Sequence, residues 1–186
     1  MNKERVIILG GGESLQEGID LGLWNKIKKQ EVWSLNNRYE IMPYLPTRQL
    51  WTDIMFFFGY EKDLMKLKDK GCEELIAREV GRFYEEFDIT VYKTTAYKEL
   101  AEQHGWMFTS LMGLSGFFAL SVAVKRGYKE IYLLGFDNPD QKYNVSKDFD
   151  YYLQFKDSKI INVSPESNIK TFEKIDYETL FKRINI

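Results

Sequence analysis

Val6-Ile7-Ile8-Leu9 is an unbroken apolar run that ends in Gly10-Gly11-Gly12. A strand with one wet face alternates apolar and polar residues, and this run does not alternate. It therefore predicts a strand covered on both faces, the environment of a parallel sheet. Val32-Trp33-Ser34-Leu35 predicts a second strand, ending at Asn36-Asn37. Gln49-Leu50-Trp51-Thr52 predicts a third, ending at Asp53. Further strands are expected at Ile89–Tyr92, Ile131–Leu134 and Lys159–Val163, the middle one ending in Gly135-Phe136-Asp137.

Helical patterns lie between them. Leu23 to Lys29 predicts a short amphipathic helix. From Ile54 to Phe87 the spacing of Leu64, Leu67, Leu75, Ile76 and Val80 is helical, with a break near Gly71. Tyr97 to Gln103 is weakly helical, and Asn138 to Asp148 is polar and loop-like. Ser115 to Arg126 carries Phe117, Phe118, Leu120, Val122, Ala123 and Val124, so it predicts a helix apolar nearly all round, hence buried, and stopped by Gly127. Tyr177 to Ile184 predicts a closing helix. This alternation implies βαβ units and a mostly parallel sheet flanked by helices. With 186 residues and no repeat, low-complexity tract or linker, the expectation is a single α/β domain over residues 1–186.

Composition narrows the function. A net charge of −2 argues against a broad nucleic-acid footprint. One cysteine (Cys72) and one histidine (His104) leave no disulfide framework and no structural zinc set. No signal-peptide pattern and no apolar run near membrane-span length is present, so a cytoplasmic protein without an integral membrane segment is expected. Phe56-Phe57-Phe58 reads first as core, with a dimer contact or reversible membrane docking as the other readings. The oligomeric state is left open.

The strand ends carry the chemistry. In open α/β sheets, ligands bind beyond the carboxyl ends of strands at the point where strand order reverses. Gly10, Gly11, Gly12 and Ser14 read either as a tight strand-to-helix turn or as a backbone cradle for phosphate. Leu15 stands where a dinucleotide fingerprint has its third glycine, and no Walker lysine follows. Asn36 and Asn37 read as a turn or cap, or as amides reading a base or ribose. Asp53 and Asp137 each read as a helix cap, or as a ribose or magnesium contact. Ser115-Gly116 opens the buried helix, where a cap and an anion site are compatible. His104 sits where a helix end is expected, and its base role has no placed partner. Cys72 has no basic partner and reads as a poor nucleophile. Tyr143, Tyr151 and Tyr152 either pack or hydrogen-bond a phosphate from the polar segment.

The stretch Val6 to Leu15 resembles the opening strand and G-x-G-P-S-L loop of two related groups. One is the bacterial single-domain sialyltransferases that use CMP-sialic acid. The other is the MptE-like proteins, which include archaeal 6-hydroxymethylpterin diphosphokinases. Ser115-Gly116, then Gly127-Tyr128-Lys129-Glu130-Ile131-Tyr132-Leu133-Leu134-Gly135-Phe136-Asp137, is similar to their "SG…A…GYKEIYL-G-D" stretch. Asn162-Val163-Ser164-Pro165-Glu166-Ser167, with Phe172 and Ile175, is similar to their ending. The resemblance is weak over residues 60 to 105. It implies a Rossmann-like fold and nucleotide contacts at Gly10 to Ser14, Asn36 or Asn37, Asp53 and Ser115-Gly116. It also implies that Asp137 lies near the donor and that Tyr143 takes the place of a phosphate-binding tyrosine, which makes these two the catalytic candidates. This chain departs from the sialyltransferase pattern in three places. Glu13 replaces a proline, Met112 stands where an arginine precedes the Ser-Gly, and no histidine follows Asp137.

Three functions follow from the resemblance and the residues together. The first is a glycosyltransferase-like enzyme using a nucleotide-sugar donor, CMP-linked on the sialyltransferase resemblance, with no certain cofactor and no metal. The second is a magnesium-dependent diphosphokinase of the MptE-like type, with Asp53 and Asp137 holding the metal. The third is a nucleotide-binding module without catalysis. All three expect a small nucleotide or nucleotide sugar as partner.

Overall fold

The computed structural model describes residues 4–78, 82–92, 115–137, 155 and 158–184. Eight strands form one all-parallel sheet. In chain order they are β1 (Arg5–Leu9), β2 (Val32–Leu35), β3 (Arg48–Trp51), β4 (Glu74–Arg78), β5 (Thr90–Tyr92), β6 (Glu130–Leu134), β7 (Lys159–Asn162) and β8 (Glu173–Lys174). In space the order is β5-β4-β3-β2-β1-β6-β7-β8. The chain builds outward from β1 to one edge and returns to the other side of β1, so strand order reverses between β1 and β6. This is a Rossmann-like α/β domain.

Helices cover both faces. They are α1 (Ser14–Asp20), α2 (Leu23–Ile27), α3 (Ile54–Lys70), α4 (Ser115–Lys125) and α5 (Tyr177–Ile184). A 3-10 turn spans Asn36–Ile41. The apolar run that opens the chain divides as a strand must. Val6 and Ile8 pack with Phe117, Phe118, Leu120 and Ala123 of α4. Ile7 and Leu9 pack on the other face with Leu15, Leu23, Ile27, Tyr177 and Leu180 of α1, α2 and α5. Trp51, Phe57, Leu64, Leu67, Leu75 and Ala77 form a third cluster under α3. Each such leucine or phenylalanine, fully buried, stabilises by about 1.5–3 kcal/mol. Phe57 is wholly buried and stacks on Trp51 at 5.8 Å, whereas Phe58 is 52% exposed. The core reading of the phenylalanine triplet thus holds for its middle member.

Helix α4 runs as expected, and Asp176 caps α5 by accepting a 2.8 Å bond from the Thr179 N–H. One segment corrects the expectation. The helical pattern from Ile54 stops at Lys70, because Gly71 takes a left-handed φ of 113° and closes the helix. Leu75 and Ile76, whose spacing looked helical, belong to β4. Leu75 and Ala77 enter the α3 cluster while Ile76 enters the α4 cluster, so a strand buried on both faces reads in sequence like a helix. Arg82 to Phe87 then forms turns. Helix α1, the 3-10 turn and β8 were not expected, since each is short and mostly polar. Val80, the Tyr97–Gln103 and Asn138–Asp148 segments, His104, Met112, Tyr143, Tyr151 and Tyr152 lie outside the described residues.

The amino ends of the strands are joined by charge. Glu74 accepts from Arg126 Nη1 at 2.6 Å and Nη2 at 2.7 Å, from Arg48 Nε at 2.9 Å and from Thr90 Oγ1 at 2.7 Å. Glu31 accepts from Trp33 Nε1 at 2.9 Å and from Arg48 and Tyr128. Burial alone would raise Glu74, but these donors outweigh it and bring its carboxyl down to about 2. No helix among the described residues is long and apolar enough to cross a membrane.

Candidate functional site

The carboxyl ends of β1 and β6 meet at the reversal of strand order. Gly10 N–H donates to the Leu134 carbonyl at 2.7 Å, and Gly12 N–H to the Gly135 carbonyl at 2.8 Å. This approach requires glycine. A Cβ at Gly10 would lie 2.5 Å from the Gly135 oxygen, and one at Gly12 would collide with the Asp137 carboxylate. Gly135 itself takes a left-handed φ of 70°. The tight-turn reading of the glycine loop is therefore satisfied.

Asp137 then crosses to the start of α1. Its Oδ2 accepts from the Ser14 N–H at 2.7 Å, and its Oδ1 accepts from the Ser14 hydroxyl. The first turn of α1 thus already holds an anion, the protein's own carboxylate. Any phosphate at the glycine loop must use other donors. The Gly11 N–H, in an exposed residue between the two bonded glycines, reaches no described group.

The ends of β2, β3 and α4 are tied into a second cluster. Asn36 has a left-handed φ of 50°, and Gln49, buried in β3, holds its carbonyl with a 2.7 Å bond from Nε2. Ser115 Oγ donates to Asn36 Oδ1 at 3.2 Å and lies 3.0 Å from Thr52 Oγ1. If Ser115 donates to Asn36, Thr52 must donate to Ser115. Asn36 then keeps both amide N–H donors for a ligand. Ser115 is the first residue of α4, and its hydroxyl bonds across to the residues that follow β2 and β3. Gly116 lets α4 approach the turn after β6, since a Cβ there would lie 2.7 Å from the Phe136 ring.

The remaining expected residues fall as follows. Asp53 caps α3, its Oδ1 accepting from Met55 N–H at 2.8 Å. Asn37 Oδ1 accepts from Arg38 Nη2 at 3.3 Å. Cys72 is buried, and burial pushes its thiol up, away from a reactive thiolate. Among the described residues no group of three or more His, Cys, Asp or Glu side chains is placed to hold a metal. Both oxygens of Asp137 already accept from Ser14, while Asp53 is exposed and uses one oxygen for its cap.

Sequence reasoning gave no role to four supports of the site. Ser167 Oγ donates to the Phe136 carbonyl at 2.7 Å, and Asn162 Nδ2 reaches Phe136 O at 3.1 Å and Ser167 Oγ at 2.9 Å. Both residues are buried, and they fix the turn that carries Asp137. Their signal was a polar residue closing an apolar strand. The Tyr177 ring fills the space left by Gly18 of α1. Burial, and then the Asp137 charge, push the Tyr177 phenol up and keep it protonated. Gln49 had no signal beyond being a polar residue inside a strand.

Solved structures share this architecture. The sialyltransferase CstII from Campylobacter jejuni, in complex with cytidine-5'-monophosphate, superposes with a TM-score of 0.60 at 20% identity, over 91% of this chain and 84% of that one. A point mutant of the α-2,3/8-sialyltransferase CstII gives 0.63 at 21% identity, over 92% and 86%. CstII from Campylobacter jejuni in complex with CMP-3FNeuAc gives 0.63 at 20% identity, over 92% and 85%. The chain shares its fold with these enzymes. No protein-family model and no curated protein sequence matches it.

Proposed function

We propose that the protein is a glycosyltransferase-like enzyme that takes a cytidine-monophosphate-linked sugar as donor. The observation that carries this reading is the placement of Gly10–Ser14 and Asp137 at the reversal of strand order, beside a second polar cluster of Asn36, Thr52 and Ser115-Gly116 at the neighbouring strand ends. It is supported by a fold shared with an enzyme solved with cytidine-5'-monophosphate. Asn36 would read the nucleoside, while the Gly11 N–H and the start of α4 would meet negative charge. In transfer, the bond between the anomeric carbon and the phosphate oxygen breaks and the acceptor oxygen bonds that carbon, its proton passing to solvent. The phosphate leaves with the electron pair, and fixed N–H donors stabilise it as its charge develops. Asp137 serves this chemistry by holding the loop, since its carboxylate is engaged by Ser14. The test is titration with CMP, AMP and UMP, followed by an assay for CMP release from CMP-sialic acid. Selective CMP binding with release is expected, and absence of binding by any cytidine nucleotide sinks the reading.

One observation favours a second reading. Asp53 presents an exposed carboxylate at the end of β3, as a magnesium-dependent diphosphokinase of the MptE-like type would need. ATP consumption with magnesium and a hydroxymethylpterin, without CMP binding, would select it. Tight CMP binding with no turnover on any sugar donor would select a binding module instead.

A further inference from the structure

The carboxyl edge of the sheet carries a guanidinium that pairs with no carboxylate among the described residues. Arg38 lies in the 3-10 turn after β2 and is half-buried. Its hydrogen bond is the one to Asn37 Oδ1, and no carboxylate among the described residues pairs with it. The arginines at the amino edge differ. Arg5 faces Glu130, Arg48 faces Glu31 and Glu74, and Arg126 faces Glu74.

Position adds to charge. A Cβ at Gly11 would come within 4.0 Å of Arg38 Nε and meet nothing nearer, so the guanidinium flanks the glycine loop. The unbonded Gly11 N–H belongs to the same corner. A planar fork of N–H donors beside a backbone N–H suits an oxyanion. The first turn of α1, the other place a glycine loop offers, is filled by Asp137.

We propose that Arg38, with the Gly11 N–H, binds an anionic oxygen of the nucleotide donor, on its phosphate or on a carboxylate carried by its sugar. This rests on the donor reading above and assigns the residue that selects an anionic donor. Met112 stands where the resembling enzymes have an arginine, so in this chain the positive charge would come from Arg38.

Calorimetric titrations of the wild type, Arg38→Gln and Arg38→Lys test it, with cytidine, CMP, CMP-sialic acid and inorganic pyrophosphate as probes. Arg38→Gln is expected to weaken CMP by about 10- to 100-fold and to leave cytidine unchanged. Arg38→Lys, which keeps the charge and loses the fork, should fall between. Unliganded melting temperatures of the three proteins control for folding, and Arg38→Lys carries the test if Arg38→Gln melts early. If CMP is unaffected and only CMP-sialic acid weakens, the anion is the sugar carboxylate. If the wild type binds pyrophosphate but no cytidine compound, and Arg38→Gln loses pyrophosphate, the anion site stands while the donor reading fails. Equal affinity of wild type and Arg38→Gln for every anionic probe overturns the inference, as does a wild type that binds none of them.

Discussion

Adjacent glycines in the same loop carry different constraints, and that difference can be measured. At Gly10 an added Cβ meets the Gly135 backbone oxygen at 2.5 Å, which cannot move without breaking its bond from the Gly12 N–H. Gly10→Ala should cost about 1–3 kcal/mol in urea denaturation, as overpacking does. At Gly11 the nearest atom is 4.0 Å away, so Gly11→Ala should change stability by less than about 0.5 kcal/mol. Equal costs at the two positions would show that the loop is not pinned at the β1–β6 junction. Ser14→Ala removes one of the two bonds to Asp137 and should cost about 1–2 kcal/mol by the same measurement. These residues were legible in the sequence as a group, because glycines after a buried strand mark a close backbone approach, whether for a turn or for a phosphate. Their division of labour was not. That Asp137 fills the start of α1 is a contact across 123 residues, and no local pattern announces it. Arg38 was missed for the same reason, since its meaning comes from Gly11 of a different strand end.

Among the elements, the strands with continuous apolar runs were readable because burial on both faces leaves no room for polar residues. β1 and β6 are of this kind, whereas β2 carries the buried Ser34 within its run. β4 was not readable, because Leu75-Ile76-Ala77 fits a helix face as well as a strand covered twice. The deciding residue was Gly71, whose left-handed φ of 113° ends α3. Gly71→Ala has open space for its Cβ but keeps that φ, so it should cost about 1 kcal/mol from backbone strain alone. Urea denaturation checks this, and no loss would mean that α3 ends by another device. Helix α4 links element to site. Its first residue bonds Asn36 and neighbours Thr52, so Ser115→Ala should release the Asn36 amide and weaken nucleoside binding while α4, buried along its length, keeps its place.

The whole molecule divides its polar chemistry between the two edges of one sheet. At the amino edge, ion pairs among Glu31, Arg48, Glu74 and Arg126 bind strands together. The Glu74 carboxyl lies at about 2 against an ordinary 4.5. A lowered carboxyl contributes stability that is complete above the ordinary value and lost as pH falls toward the folded one. Melting temperatures of wild type and Glu74→Gln should therefore converge between about pH 5 and about pH 2. A gap independent of pH would mean that Glu74 acts through packing. At the carboxyl edge, the polar ends gather around the junction of β1 and β6, and the proposed function depends on a nucleotide binding there. Amide chemical-shift mapping of this 22.1 kDa chain during titration with CMP is the most direct test. The predicted result is a set of shifts at Gly10–Ser14, Asn36–Arg38 and Ser115-Gly116. No shifts, or shifts confined to Glu4, Lys129 and Lys159 at the opposite edge, would contradict it.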